Sequence, residues 1–118
     1  QRGMTESFWV VTATTKQHET SSDIDLAAQS TTTIVILMGT RKLQELIYRI
    51  NEYRSLSTPV ALIQNATLSN QKIILGTLEN ISQKAEKAQF SSPGIIIVGE
   101  VVKLSPHFLE YLGEKAAS

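Results

Sequence analysis

Ile34-Val35-Ile36-Leu37 and Val60-Ala61-Leu62-Ile63 decide the fold class. Each is an apolar run of strand length with no polar alternation, the pattern of a strand buried on both faces in the middle of a sheet. Each also stops abruptly, the first at Met38-Gly39 and the second at Gln64-Asn65-Ala66-Thr67. In open α/β sheets ligands bind outside the carboxyl ends of strands, so these two strand-end loops form the candidate site.

Between the two runs the period changes. Leu43, Leu46, Ile47, Ile50 and Tyr53 fall at helical spacing, with Arg41, Lys42, Glu45, Arg49, Glu52 and Arg54 on the remaining surface. One apolar stripe on a charged cylinder predicts a helix packed on a sheet, and Ser57-Thr58-Pro59 ends it. Downstream, Gln71 to Leu75 reads as a strand stopped by Gly76, and Leu78, Ile81, Ala85 and Ala88 as a second helix. Ser91 to Gly94 is a turn. Ile95 to Val98 is a third buried strand, expected to continue past Gly99 into Val101 and Val102. Ser105-Pro106, a capping hydroxyl before a proline, predicts a last helix that Gly113 stops. Upstream, the β-branched and aromatic Phe8 to Thr12 predicts a strand, Thr14 to Ser22 a polar loop, and Asp23 to Ala28 a short helical turn capped by Ser22 or Asp23. The middle six elements read βαββαβ, so the fold class is α/β, a mixed sheet of about five strands with helices packed on it.

Composition narrows the function. The 118 residues, 42% hydrophobic, make one domain's worth of core. Eleven basic and eleven acidic residues cancel, which removes the phosphate-neutralising drive for nucleic acid and leaves small molecules and proteins as partners. The absence of cysteine excludes disulfides and thiolate metal ligands and is compatible with a reducing compartment, in keeping with a cytoplasmic location. No apolar run approaches the roughly 20 residues that cross a bilayer, so no membrane role is expected. Gln1 to Glu6 lacks the basic flank and apolar core of a signal peptide and does not read as a natural start. His18 and His107 have no ligand-spaced partner, which argues for surface roles over metal binding. Asp23 and Asp25 beside a helix start are cap and dipole partners. Gly39-Thr40 before a helix is, alone, a weak anion-binding signal. The residues by themselves stop at an α/β ligand-binding or dimerisation module.

An ordered set of segments carries the reading further. Met38-Gly39, Thr58 to Thr67, Asn70-Gln71-Lys72, Gly76-Thr77-Leu78 and Ser92 to Val102, preceded by Arg2-Gly3 and Phe8 to Ala13, together resemble the C-terminal half of the tetrapyrrole methylases, in the family's order and at similar spacings. The resemblance covers essentially the whole chain. It implies methyl transfer from S-adenosylmethionine to ring carbons of uroporphyrinogen III, giving precorrin-2 on the way to sirohaem or cobalamin. Such a site mainly orients donor and acceptor in line, which fits strand-end loops better than acid–base pairs.

By the same resemblance Met38 is the strand-end methionine that contacts the cofactor. Ala66 is the small position whose backbone faces the adenosyl group, Thr67 follows it, and Pro93 and Gly94 are further candidates for the pocket. Met38 and Ala66 are expected to line it from two adjacent strand ends at one edge of the sheet, with Pro93 closing one side. The family's glycine-rich first loop and its Gly-Gly-Gly-Asp-Pro stretch are not in these 118 residues, and its candidate proton-handling residues belong to the same missing half. No catalytic residue and no metal ligand is therefore assigned. Gln1 stands where many relatives have histidine, and Arg41 falls at a variable position.

The resemblance further implies a division into residues 1–30, the end of an interdomain crossing with the first strand and polar loop, and residues 31–118, the C-terminal α/β domain. Its implied partners are the tetrapyrrole substrate, the N-terminal domain of the same enzyme and, since family members are homodimers, a second copy. Two alternatives stand beside it. One is another enzyme of the fold, such as a cobalt-precorrin methylase, a diphthine synthase or a ribosomal RNA ribose methyltransferase. The other is a non-enzymatic βαββαβ module that binds a small ligand and dimerises.

Overall fold

In a computed structural model, residues 8–12, 22–37, 43–64, 71–90 and 94–103 are described. Five strands and three helices follow one another along them: β1 (Phe8–Thr12), α1 (Ser22–Gln29), β2 (Thr33–Leu37), α2 (Leu43–Asn51), β3 (Pro59–Gln64), β4 (Lys72–Thr77), α3 (Ile81–Lys87) and β5 (Ile95–Val98), followed by a 3₁₀ turn at Glu100–Lys103. The strands form one mixed sheet in the order β1-β2-β5-β3-β4. β1 runs parallel to β2, β5 is antiparallel to both β2 and β3, and β4 is antiparallel to β3. β2 and β3 therefore point the same way with β5 between them, which corrects the expectation that their ends are adjacent.

The unalternated runs occupy the centre, as their composition demands. Ile34, Ile36, Val60, Leu62, Ile96 and Val98 face one side and join Ile24, Ala27 and Ala28 of α1, Leu46, Ile47 and Ile50 of α2, and Ile81 and Ala85 of α3 in one buried cluster. All three helices thus lie on a single face. The opposite face packs Val35, Ala61, Ile63, Ile95 and Ile97 with Val102 from the 3₁₀ turn. Each fully buried Ile or Leu contributes about 1.5–3 kcal/mol by leaving water.

Several boundaries differ from expectation. β5 does not continue into Val101 and Val102. Gly99 turns the chain at φ +143°, donates its N–H to the Pro59 carbonyl at 2.9 Å, and leads into the 3₁₀ turn that folds Val102 onto the sheet. Only glycine enters this backbone region readily, and a Cβ here would lie 2.8 Å from Thr33 Oγ1. β4 begins one residue after Gln71 and runs through Gly76 to Thr77, since Gly76 stays in register with Val60. Its missing Cβ lets α3 come close: one would meet Asn80 Oδ1 at 2.6 Å, the atom that accepts the Thr77 N–H. α3 starts only at Ile81, so Leu78 is buried ahead of it, and Ala88 is an exposed cap. Tyr53 lies past the end of α2, half exposed. The expected helix at Ser105-Pro106 and most of the polar loop after Thr14 lie outside the described residues.

Candidate functional site

Strand direction builds the site edge. The register sets Ile95 opposite both Leu37 and Ile63, and Lys72 opposite Gln64. The chain therefore leaves β2 and β3, and enters β5 and β4, along the same edge of the sheet. With hydrogen-bonded strands about 4.8 Å apart, two spacings put the exits of β2 and β3 about 10 Å from each other. Ile63, one residue before the end of β3, and Ile95, the first residue of β5, are both buried, so the apolar floor extends nearly to the edge. Gly94 sits between the two exits and donates its N–H to the Ile63 carbonyl at 3.0 Å.

Gly94 is the one sequence-predicted site residue among those described, and it is exposed. A Cβ built on it would find Ile63 O at 3.9 Å and no tighter contact among the described residues, so packing there does not demand a glycine. Met38, Ala66, Thr67 and Pro93 lie outside the described residues, as do His18, His107, Gly39, Thr40 and Arg41. The segment holding Met38 leaves from Leu37, the one holding Ala66 and Thr67 leaves from Gln64, and Pro93 immediately precedes Gly94.

Of the described charged residues, Lys72 stands at this edge, opposite Gln64. Asp25 lies in the first turn of α1, where a dipole partner is expected, and also pairs with Arg49 of α2, tying the two helices together. They line an open cleft of about 750 Å³ with Tyr48 and Tyr53 on the helical layer. Arg54 was legible only as one more helix charge, yet its guanidinium donates to four carbonyls, those of Ala27, Ala28, Ser30 and Thr32. Burial lowers its pKa, but an arginine remains cationic throughout the working range. This knot holds the end of α1 and the approach to β2, at the sheet edge opposite the strand exits. Among the described residues no group of His, Asp and Glu is arranged to hold a metal. No helix among them is long and apolar enough to cross a membrane.

The family model for tetrapyrrole (corrin/porphyrin) methylases matches residues 2–82. The chain belongs to this family. A uroporphyrinogen-III C-methyltransferase of Methanocaldococcus jannaschii is 42% identical over 105 residues, 87% of this chain and 43% of that protein. One from Bacillus subtilis is 35% identical over 109 residues, 90% of this chain and 23% of that protein. This tetrapyrrole methylase chain therefore spans less than half the length of either relative. A crystal structure of the uroporphyrin-III C-methyl transferase of Thermus thermophilus complexed with S-adenyl homocysteine superposes with a TM-score of 0.69 at 21% identity, over 87% of this chain and 46% of that one. At that identity the match speaks to the fold, and it is the tetrapyrrole methylase fold that the mixed five-stranded sheet adopts.

Proposed function

We propose that this chain is one half of an S-adenosylmethionine-dependent methyltransferase that converts uroporphyrinogen III to precorrin-2, with its strand-end loops forming one side of the cofactor pocket. The observation that carries the reading is the 42% identity over 105 residues to a protein named for that reaction. In this reading residues 31–118 are the C-terminal domain and residues 1–30 belong to the crossing from an N-terminal domain, which supplies the rest of the pocket and the proton-handling groups. The complete enzyme works as a cytoplasmic homodimer on a free tetrapyrrole.

The bound cofactor would supply a methyl group on a sulfonium, ready for in-line attack by a ring carbon. This chain's own contribution is to bind and orient. Met38, past the end of β2, supplies apolar contact, while Ala66 and Thr67 past β3, and Pro93 and Gly94 before β5, offer backbone groups to an adenosyl-sized ligand. A gap of about 10 Å between the two exits, roughly two strand spacings, suits such a ligand. A Cβ built at Gly94 would have no contact tighter than 3.9 Å among the described residues, which is compatible with the same role, because close approach of backbone to ligand favours residues with little or no side chain.

The test replaces Ala66 by leucine in the complete enzyme. If Ala66 lines the pocket, calorimetric titration shows S-adenosylmethionine affinity reduced by about tenfold or more, while the thermal midpoint moves little because the residue faces a cleft. A lowered midpoint with unchanged affinity would make Ala66 a packing residue and remove it from the site.

A further inference from the structure

Lys72 is the first residue of β4 and pairs in register with Gln64, the last residue of β3. Because β3 lies between β5 and β4, Gln64 stands between Gly94 and Lys72 across the strand-exit edge. Side chains alternate along a strand. Leu62 and its cross-strand partner Ile74 pack into the cluster beneath the helices, so Gln64 and Lys72, two residues further along each strand, lie on that same side of the sheet. Lys72 is exposed, and its ammonium has no hydrogen-bond or ion-pair partner among the described residues. Lys84 differs, since its Nζ donates to the Leu75 carbonyl at 3.0 Å. A charge on an outer strand also discourages a second chain from adding to the sheet, but a charge of either sign serves for that.

We infer that Lys72 binds a carboxylate of the tetrapyrrole substrate where the macrocycle extends past the end of β3. The inference rests on the methyl-transfer reading of this edge. Uroporphyrinogen III carries acetate and propionate side chains and is a polyanion at neutral pH. The formal net charge of the chain is zero, so no general field draws such a ligand in, and attraction depends on individual cations beside the pocket. Lysine holds oxyanions as a point charge on a flexible four-carbon stem, which suits carboxylates that hang from a ring on chains of their own. The same stem spans the single strand spacing, about 4.8 Å, between Lys72 and the end of β3. S-adenosylmethionine suits this position less well. Its sulfonium and ammonium outnumber its carboxylate, so the cofactor is net positive, and in the proposed pocket it fills the gap between the β2 and β3 exits, on the far side of Gln64 from Lys72.

The test makes Lys72→Gln, Lys72→Glu and Lys72→Arg in the complete enzyme. Initial rates are measured anaerobically against uroporphyrinogen III at saturating S-adenosylmethionine, beside calorimetric titration of the cofactor and a thermal melt of each variant. An exposed ion pair is weak in water, so removing the charge in Lys72→Gln is expected to raise KM by about fivefold while kcat changes by less than about twofold. Reversing it in Lys72→Glu raises KM by about twentyfold or more, and Lys72→Arg stays within about twofold of the parent. Added salt raises the parent's KM and narrows its gap to Lys72→Gln, because ions screen the attraction that the variant lacks. Cofactor affinity and thermal midpoint stay as in the parent. An active enzyme whose KM ignores both Lys72→Gln and Lys72→Glu overturns the assignment, and so does a loss confined to cofactor affinity. A raised KM with a lowered midpoint in all three variants, arginine included, overturns it too and makes Lys72 a packing residue. A parent enzyme that does not convert uroporphyrinogen III overturns the methyl-transfer reading itself, and this inference with it.

Discussion

Replacing Arg54 by alanine removes a knot that ties together the carbonyls of Ala27, Ala28, Ser30 and Thr32. Nε donates to Ala28 O at 3.1 Å, and Nη2 faces Ala27 O at 3.1 Å, Ser30 O at 2.7 Å and Thr32 O at 2.6 Å. Nη2 carries two protons for three acceptors, so the group makes at most three full-strength bonds. Charge-assisted bonds contribute about 1.5–3 kcal/mol each, which sets an upper bound near ~9 kcal/mol. The true loss is much smaller. Arg54 is half-buried, so water reaches part of the vacated space, and Ala27 O keeps its bonds from Ser30 N and Ser30 Oγ. We expect Arg54→Ala to destabilise the fold by about 3 kcal/mol, the low end for breaking a buried charged network. For a chain of this length that lowers the thermal midpoint by about 12 °C. Arg54→Lys keeps the positive charge against the negative end of α1 but lacks the fork, and loses about half as much. Urea unfolding followed by circular dichroism gives the free energies, with an unchanged slope showing that the native state has not expanded. An alanine variant melting within about 2 °C of the parent would refute the reasoning, since three charge-assisted bonds cannot vanish that cheaply unless water replaces all of them.

Gly99→Ala should destabilise by about 3 kcal/mol, combining strain at φ +143° with a Cβ 2.8 Å from Thr33 Oγ1. Thr33→Ala should restore only part of this, because the Thr33 Cα stands 3.1 Å away as well; thermal melts of both variants and the double variant check it. The 118-residue chain alone should show no conversion of uroporphyrinogen III under anaerobic assay, since it spans 43% of the Methanocaldococcus jannaschii relative and the proposed pocket needs the other part. Turnover by the chain alone would contradict the division of labour proposed for the two halves.

Local pattern decided a great deal of this fold. Ile34–Leu37, Val60–Ile63 and Ile95–Val98 could not be half-solvated strands, because none offers polar residues to an exposed face, and all three lie in the interior of one sheet. The spacing of Leu43, Leu46, Ile47 and Ile50 gave α2 and its buried stripe, as period and polarity are properties of neighbouring residues. The ordered segments from Arg2 to Val102 were enough to recognise the family before any strand was paired. The ends of β2 and β3 were legible in the same way, since the strands close at Leu37 and Gln64, where the apolar runs stop.

Tertiary structure alone decided the rest. Nothing local placed β5 between β2 and β3, because strand order depends on which edges pair across long stretches of chain. That insertion separates the two exits and sets Gly94 between them. Gly76 looked like a strand stop and became part of a strand, because α3 crosses where its side chain would have been. Gly99 looked like a passing residue and became a break, because Thr33 of a neighbouring strand leaves room for nothing larger. Arg54 looked like a solvated helix charge and became the clamp on α1, because the carbonyls it binds lie 22 to 27 residues earlier in the chain. Sequence encodes how often a residue meets water, whereas the identity of the groups it meets is set only when distant segments come into contact.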